Sequence, residues 1–244
     1  MPAKTKVSKI NDLLNFDRDI KYGADGQLRL DTMRLIGVDE VGRGCLAGPV
    51  VACAVEFTDF SRDCEVWKLL HALDDSKKLS PSVRQEISAH IKQHARFALG
   101  ECSPAEIDNM NILNASLLAM FRALKKLDPH ISSTVVLVDG NKKIPKFKGT
   151  QHTIIGGDAR SASIAAASVV AKVYRDTFMK ELAQKHSQFE PYAWHSNKGY
   201  GSRTHREAIK IHGTTKWHRM SFNLNWDAEE TEDMNDGTAD DCEN

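Results

Sequence analysis

Four carboxylates stand where a sequence can build a catalytic centre. Asp39 and Glu40 follow the apolar run Leu35-Ile36-Gly37-Val38, and Asp139 follows Thr134-Val135-Val136-Leu137-Val138. Asp158 comes after Thr153-Ile154-Ile155-Gly156-Gly157. Each run reads as a short strand. In open α/β sheets, ligand sites gather at the carboxyl ends of strands. If the three strands lie side by side and point one way, the four acids meet. Clustered carboxylates repel one another unless something positive sits among them. Mg2+ or Mn2+ fits, because hard cations take oxygen ligands and use substrate phosphates as further ligands. Two such ions about 4 Å apart activate water and stabilise the leaving oxygen in phosphodiester cleavage. The plainer account is that acids after strands form turns or cap helices. It is the better account for one Asp; three cases in one chain shift the balance towards a metal site. Asp176 lies 18 residues beyond Asp158 on an expected helix. At 1.5 Å per residue that is roughly 27 Å, so it reads as a solvated or structural charge.

Other segments offer contacts to a ligand. The glycines of Gly42-Arg43-Gly44 let backbone amides approach a sugar or phosphate, or simply make a tight turn. Ser76, Lys77 and Lys78 suit phosphates, or a solvated loop. Trp194 to Phe222 holds six Lys or Arg, four His and one acid, with Trp194, Tyr200 and Trp217 interleaved. That mixture suits a nucleic-acid backbone with stacking, or a basic surface helix with aromatics in the core. The four histidines show no metal-ligand spacing on one face. The five cysteines form no CxxC pair, which points to a reducing compartment.

The elements that must position these residues follow from the pattern. Val38 and Pro49–Phe57 lie on two strands with a tight connection, an expected antiparallel pair. Val66–Leu73 reads as a helix, Asp75–Ser80 as a polar loop, and Ser80-Pro81 as a helix start. Phe97–Cys102 reads as a strand. Ser103-Pro104-Ala105-Glu106 is a capping box opening a helix to about Leu127, with Leu113, Leu117, Leu118, Phe121 and Leu124 on one face. A long helix is expected from near Ser161 towards Leu182, with Ala166, Val170, Tyr174, Phe178 and Leu182 recurring. Strands alternating with helices predict an α/β fold with a mixed central sheet flanked by helices, and a C-terminal helical segment.

Charge refines the picture. The 244 residues carry 33 basic and 33 acidic groups, a formal net charge of zero. Taken alone, that argues against nucleic acid. Nine of the acids, and no Lys or Arg, fall between Asp227 and Asn244. The remaining 226 residues therefore carry +9. The tail is expected to be disordered, since it lacks apolar residues to offset its ordering entropy. No apolar run reaches the roughly 20 residues of a membrane span. The expected organisation is an N-terminal arm over 1–34, a catalytic domain over 35–226 and an acidic tail over 227–244.

Taken together, the motifs resemble those of the ribonuclease HII family, the type 2 ribonucleases H. Leu35 to Gly44 with Leu46-Ala47-Gly48-Pro49-Val50-Val51 is similar to its first motif, and Asp75 to Ser80 to its second. Val138 to Asn141, and Gly157 to Ser161 with Ser163 to Ser168, resemble the third and fourth. Asn197-Lys198-Gly199-Tyr200-Gly201 with His205, and His218 to Phe222, resemble the closing motifs. Cys45 departs from a usual Pro, and Tyr174 from a common small polar residue.

The resemblance implies an RNase H-like fold and a metal-dependent endonuclease. It implies cleavage of RNA in RNA–DNA hybrids and incision 5′ to ribonucleotides embedded in duplex DNA, leaving 3′-hydroxyl and 5′-phosphate ends. It places Asp39, Glu40, Asp139 and Asp158 as catalytic metal ligands for Mn2+ or Mg2+. Gly42, Arg43 and Gly44 take the positions that sense the ribose 2′-hydroxyl, and Tyr200 the position that stacks on the next deoxyribose. Ser76 and Lys77 are expected to bind the substrate backbone. A cytoplasmic monomer is expected. A non-catalytic hybrid-binding subunit and a junction resolvase are the competing readings; the four acids disfavour the first, and Gly42-Arg43-Gly44 with Tyr200 the second.

Overall fold

The computed structural model describes residues 6–22, 34–58 and 80–224. Five strands form one mixed sheet: β1 (Arg34–Val41), β2 (Val50–Phe57), β3 (Ala95–Cys102), β4 (Thr134–Asp139) and β5 (Thr150–Ile154), in the order β3-β2-β1-β4-β5. β1 pairs antiparallel with β2, as the short connection predicts, and parallel with β4; β4 pairs parallel with β5. The central strands β1, β2 and β4 are almost wholly buried, matching their unbroken runs of Val, Ile, Leu and Ala. The edge strands β3 and β5 mix exposed and covered positions. β5 ends at Ile154, one residue earlier than the sequence suggests, and leaves Ile155 73% exposed.

The described helices are α1 (Lys6–Tyr22), α2 (Pro81–His94), α3 (Pro104–Met110), α4 (Ile112–Leu127), α5 (Ala162–Lys185) and α6 (Arg203–His212), besides short helical turns. Ser80 caps α2 through Val83 N, with Pro81 at the first position. Ser103 and Glu106 form the expected capping box on α3. The single helix expected to Leu127 is instead broken at Asn111, whose φ is 68°. Asn tolerates the left-handed region, and its Oδ1 accepts from Asn114 N to start α4. The break re-aims the second half. Leu113 is exposed; of the expected face Leu124 is buried, together with Ala115, Ala119, Met120, Ala123 and Leu127. Among the described residues no helix is long and apolar enough to cross a membrane.

The chain packs as two compact units. One comprises Met1–Val41, Val51–Glu101 and Ser116–Val173; the other comprises Gly42–Val50, Cys102–Ala115 and Tyr174–Asn244. In the first unit the start of α5 lies on the sheet over Gly37. A Cβ there would sit 2.2 Å from the Ser163 carbonyl carbon, so only glycine fits. The α5 residues from Ala162 to Ala167 are all buried, and their small side chains permit that approach. The second unit has its own core, with Leu46, Ala47, Met179, Phe189, Tyr192, Trp194, Ala208 and Ile209 at its centre. Val66–Leu73, Asp75–Leu79 with Ser76 and Lys77, and the tail over 227–244 lie outside the described residues.

Candidate active site

Strand register brings the acids of the first unit together. Val38 pairs with Val138 in the parallel β1–β4 ladder, so Asp39 and Asp139 are the next rung. Side chains on one rung leave the same face about 4.8 Å apart along the sheet. That face is the one carrying Gly37, two residues earlier, against which α5 packs. Asp139 also pairs with Ile154 at the end of β5. From there the chain turns at Gly156, φ 62°, into a helical turn over Gly157–Ala159 that holds Asp158. Gly157 N donates to Asp139 Oδ1 at 2.7 Å, tying the turn to the neighbouring carboxylate. A side chain at Gly157 would meet Ile164 Cδ1 at 2.6 Å and Asp139 Oδ1 at 3.0 Å.

The electrostatics match the geometry. Asp39 is only 5% exposed, and its Oδ1 accepts from Glu40 N at 2.7 Å. Burial pushes its carboxyl well above the usual carboxylate range. Repulsion from Glu40, Asp139 and Asp158 adds to this, against a hydrogen bond from Ser168. The charges of Glu40, Asp139 and Asp158 are thus all felt at Asp39. Glu40, Asp139 and Asp158 are half-buried. Among the described residues no three or more His, Cys, Asp or Glu side chains are grouped closely enough to hold a metal ion. The acids share a field and a sheet edge instead. Such an all-oxygen, mutually repelling donor set fits a hard divalent cation.

In the second unit, the Gly42-Arg43-Gly44 loop is held by two buried guanidiniums. Arg219 Nη2 donates to Gly42 O at 2.7 Å, Nη1 to Arg43 O at 2.8 Å, and Nε to Gly48 O at 3.1 Å. Arg175 donates to Pro49 O, Ala47 O and Lys198 O, each at 2.9 Å. In a trans peptide the N–H points opposite to the C=O. Pinning the Gly42 and Arg43 carbonyls onto Arg219 therefore turns the Arg43 and Gly44 amides away from it, and both residues are exposed. Gly42 itself is buried at φ 90°, with Arg175 packed where a side chain would go. Burial lowers the Arg219 guanidinium to about 10, so it stays charged at neutral pH.

Tyr200 belongs to the same assembly. Gly199 O accepts from Leu46 N at 2.8 Å and Ala47 N at 3.2 Å, just beyond the glycine loop. Tyr200 is half-exposed, and its carbonyl accepts from His205 Nδ1 at 2.8 Å.

The basic, aromatic segment needs correction. Trp194, His205, His218 and Arg219 are core residues and are not free to meet a nucleic acid. Trp194 Nε1 donates to His205 Nε2 at 2.9 Å, and Thr215 N donates to His218 Nδ1 at 2.9 Å. His205 therefore carries its proton on Nδ1, and its Nε2 lies 3.1 Å from His218 Nε2. Both rings are neutral. Burial pushes His218 down to about 4 and lowers His205 as well. Arg203, Lys210 and Lys216 are the exposed cations of this stretch, and Arg203 pairs with Glu207 at 2.8 Å. Asp176 is half-buried on an unbroken α5, so it is not a solvated charge. The roles of Arg175, Arg219 and Ser168 have no signature in their local sequence. A Lys or Arg inside a predicted helix or basic run carries no mark of burial.

The architecture matches known proteins. A family model described as Ribonuclease HII matches residues 36–226. A Ribonuclease HII from Wolbachia pipientis subsp. Culex pipiens is 49% identical over 188 residues, covering 77% of this chain and 89% of that protein. One from Phocaeicola vulgatus is 46% identical over 191 residues, covering 77% of this chain and 88% of that protein. A chain in the structure of the PCNA:RNase HII complex from Archaeoglobus fulgidus matches with TM-score 0.65 at 25% identity, covering 80% of this chain and 98% of that one. With its α/β fold and its family match over most of its length, the chain belongs to the ribonuclease HII family of nucleases, which degrade RNA in RNA–DNA hybrids.

Proposed function

We propose that this chain is a divalent-metal-dependent endonuclease that cuts RNA in hybrids and incises 5′ to single ribonucleotides in duplex DNA. The observation that carries the reading is the parallel β1–β4 ladder, which ends at Val38 and Val138 immediately before Asp39 and Asp139, with the Asp158 turn tied to Asp139 through Gly157 N. Asp39, Glu40, Asp139 and Asp158 would hold Mg2+ or Mn2+. When bound, such ions supply Lewis acidity and a nucleophilic water for phosphodiester hydrolysis, leaving 3′-hydroxyl and 5′-phosphate ends. The protein's own task is orientation. The outward amides of Arg43 and Gly44 offer donors to a ribose 2′-hydroxyl, the group that separates RNA from DNA at one position. The Tyr200 ring offers a face to the following deoxyribose. Ser76 and Lys77 are assigned to the phosphate backbone.

The reading includes a monomer working in a reducing compartment, the cytoplasm. It is supported by the free thiols of Cys45, Cys53 and Cys102, all buried.

The reading is tested by Asp139→Asn. Hybrid cleavage should fall by at least about 100-fold with Mn2+ or Mg2+. Hybrid affinity, measured by anisotropy, should stay within about threefold, because the basic surface is intact. Near-normal turnover would remove Asp139 from the site.

A further inference from the structure

We propose that α1 braces the catalytic centre. Asp17 is its positioning residue, fixing the first turn of α5 and through it Asp158 and Ser168. The proposal rests on the nuclease reading for its activity readout and on that reading's metal ligands for its Mn2+ readout. α1 precedes residue 36, where the family match begins, so the shared motifs do not account for it.

The contacts are specific. Asp17 is fully buried, and its Oδ2 accepts from Ser163 N at 2.8 Å and from Ser163 Oγ at 2.7 Å. It also bonds to the Ser161 side chain. Ser161 Oγ accepts from Ile164 N at 3.2 Å. The opening amides of α5 are thus shared between a local cap and a carboxylate 146 residues away in sequence. A negative charge there also complements the helix dipole. Leu13 and Leu14 are buried at 3% exposure each, and the Arg160 guanidinium lies 5.5 Å from the centre of the Phe16 ring.

What α1 grips carries the chemistry. Asp158 is separated from Ala162, the first residue of α5, by Ala159, Arg160 and Ser161 alone. Arg160 N and Ser161 N both return to Gly157 O, at 2.9 and 2.8 Å, so the link has no slack. One turn and a half further along, Ser168 donates to Asp39. The Ser163 backbone lies on Gly37, two residues before Asp39. A shift of the first turn of α5 therefore moves Asp158 and Ser168 together against β1.

The test compares wild type, Asp17→Ala, Asp17→Asn and Ser163→Ala in the full chain. The readouts are kcat and KM on a uniform hybrid, Mn2+ affinity by calorimetry, and amide exchange over residues 159–168. Residues that orient metal ligands are typically worth about 10–100-fold in metal affinity or activity. Asp17→Ala should lower kcat and Mn2+ affinity by about tenfold or more, with KM within about threefold, and speed exchange in that segment. Asp17→Asn, which still offers a carbonyl oxygen to Ser163, should recover most of the loss. Ser163→Ala should show a smaller loss in the same direction, and judges the proposal if Asp17→Ala does not fold. Unchanged kcat and Mn2+ affinity alongside a lowered melting temperature would overturn the brace. If wild type binds Mn2+ but leaves hybrid uncut, the nuclease reading fails and Mn2+ affinity still decides the brace. A wild type that binds no Mn2+ would overturn both.

Discussion

At the residue scale, the candidate site depends on buried charges with assigned partners. Arg219 spends its fork on three carbonyls of the Gly42–Gly48 loop. A lysine cannot reproduce that fork. Arg219→Lys should therefore lower incision at a single ribonucleotide by about tenfold or more, one lost charge-assisted bond being worth roughly 1.5–3 kcal/mol. Equal activity of the two proteins on that duplex would show that the loop does not need the clamp. Asp17 gives a pH prediction. Burial raises its carboxyl from 3.8 to about 6, so the folded state holds the proton more tightly than the unfolded chain. The resulting stability is fully present below about 4 and is lost as pH rises through about 6. Melting temperatures should therefore shift in favour of Asp17→Asn, relative to wild type, between pH 4 and 6. A constant difference across that window would mean Asp17 is not desolvated. The four acids stand out in the sequence because each follows closely on an apolar run. Arg175, Arg219 and the His205–His218 pair do not, because the carbonyls and rings that satisfy them come from distant segments.

At the scale of elements, the decisive contact is α5 on β1. Gly37→Ala would put a methyl 2.2 Å from one backbone atom of Ser163 and 2.5 Å from Ile164 N. Backbone on both sides leaves no side chain to yield, so the variant should lose upwards of about 3 kcal/mol in a denaturant melt. A loss under about 1 kcal/mol would show that α5 can move off the sheet freely. The antiparallel β1–β2 pair and the start of α5 follow from apolar runs and a short connection, since both signals are local, whereas the strand order does not. Nor does the break between α3 and α4. The apolar pattern runs through Asn111, and only the left-handed backbone there shows that the two halves bury different faces. Residues before 35 hold one apolar cluster, Ile10, Leu13, Leu14 and Phe16, and read as an arm. Its meaning came from Asp17 reaching Ser163, which no local pattern encodes.

At the scale of the whole molecule, the zero net charge is a sum of unlike parts: +9 over residues 1–226 and nine acids after them. The tail, poor in apolar residues, has little to contribute to a core. Deleting residues 227–244 should leave the melting temperature within about 2 °C, a change that corresponds to no more than about 1 kcal/mol. A large fall would show that the tail packs on the body. The positive body suits a polyanionic substrate, and its affinity for hybrid should fall steeply with salt.

The proposal to be tested is that this member of the ribonuclease HII family is a metal-dependent nuclease that incises at a ribonucleotide in duplex DNA. The most direct measurement uses a DNA duplex with one embedded ribonucleotide, beside an all-DNA duplex of the same sequence, with Mg2+ or Mn2+. The account predicts a single nick 5′ to the ribonucleotide, with 3′-hydroxyl and 5′-phosphate ends, and an intact all-DNA duplex. An uncut ribonucleotide, or equal cutting of both duplexes, would contradict it.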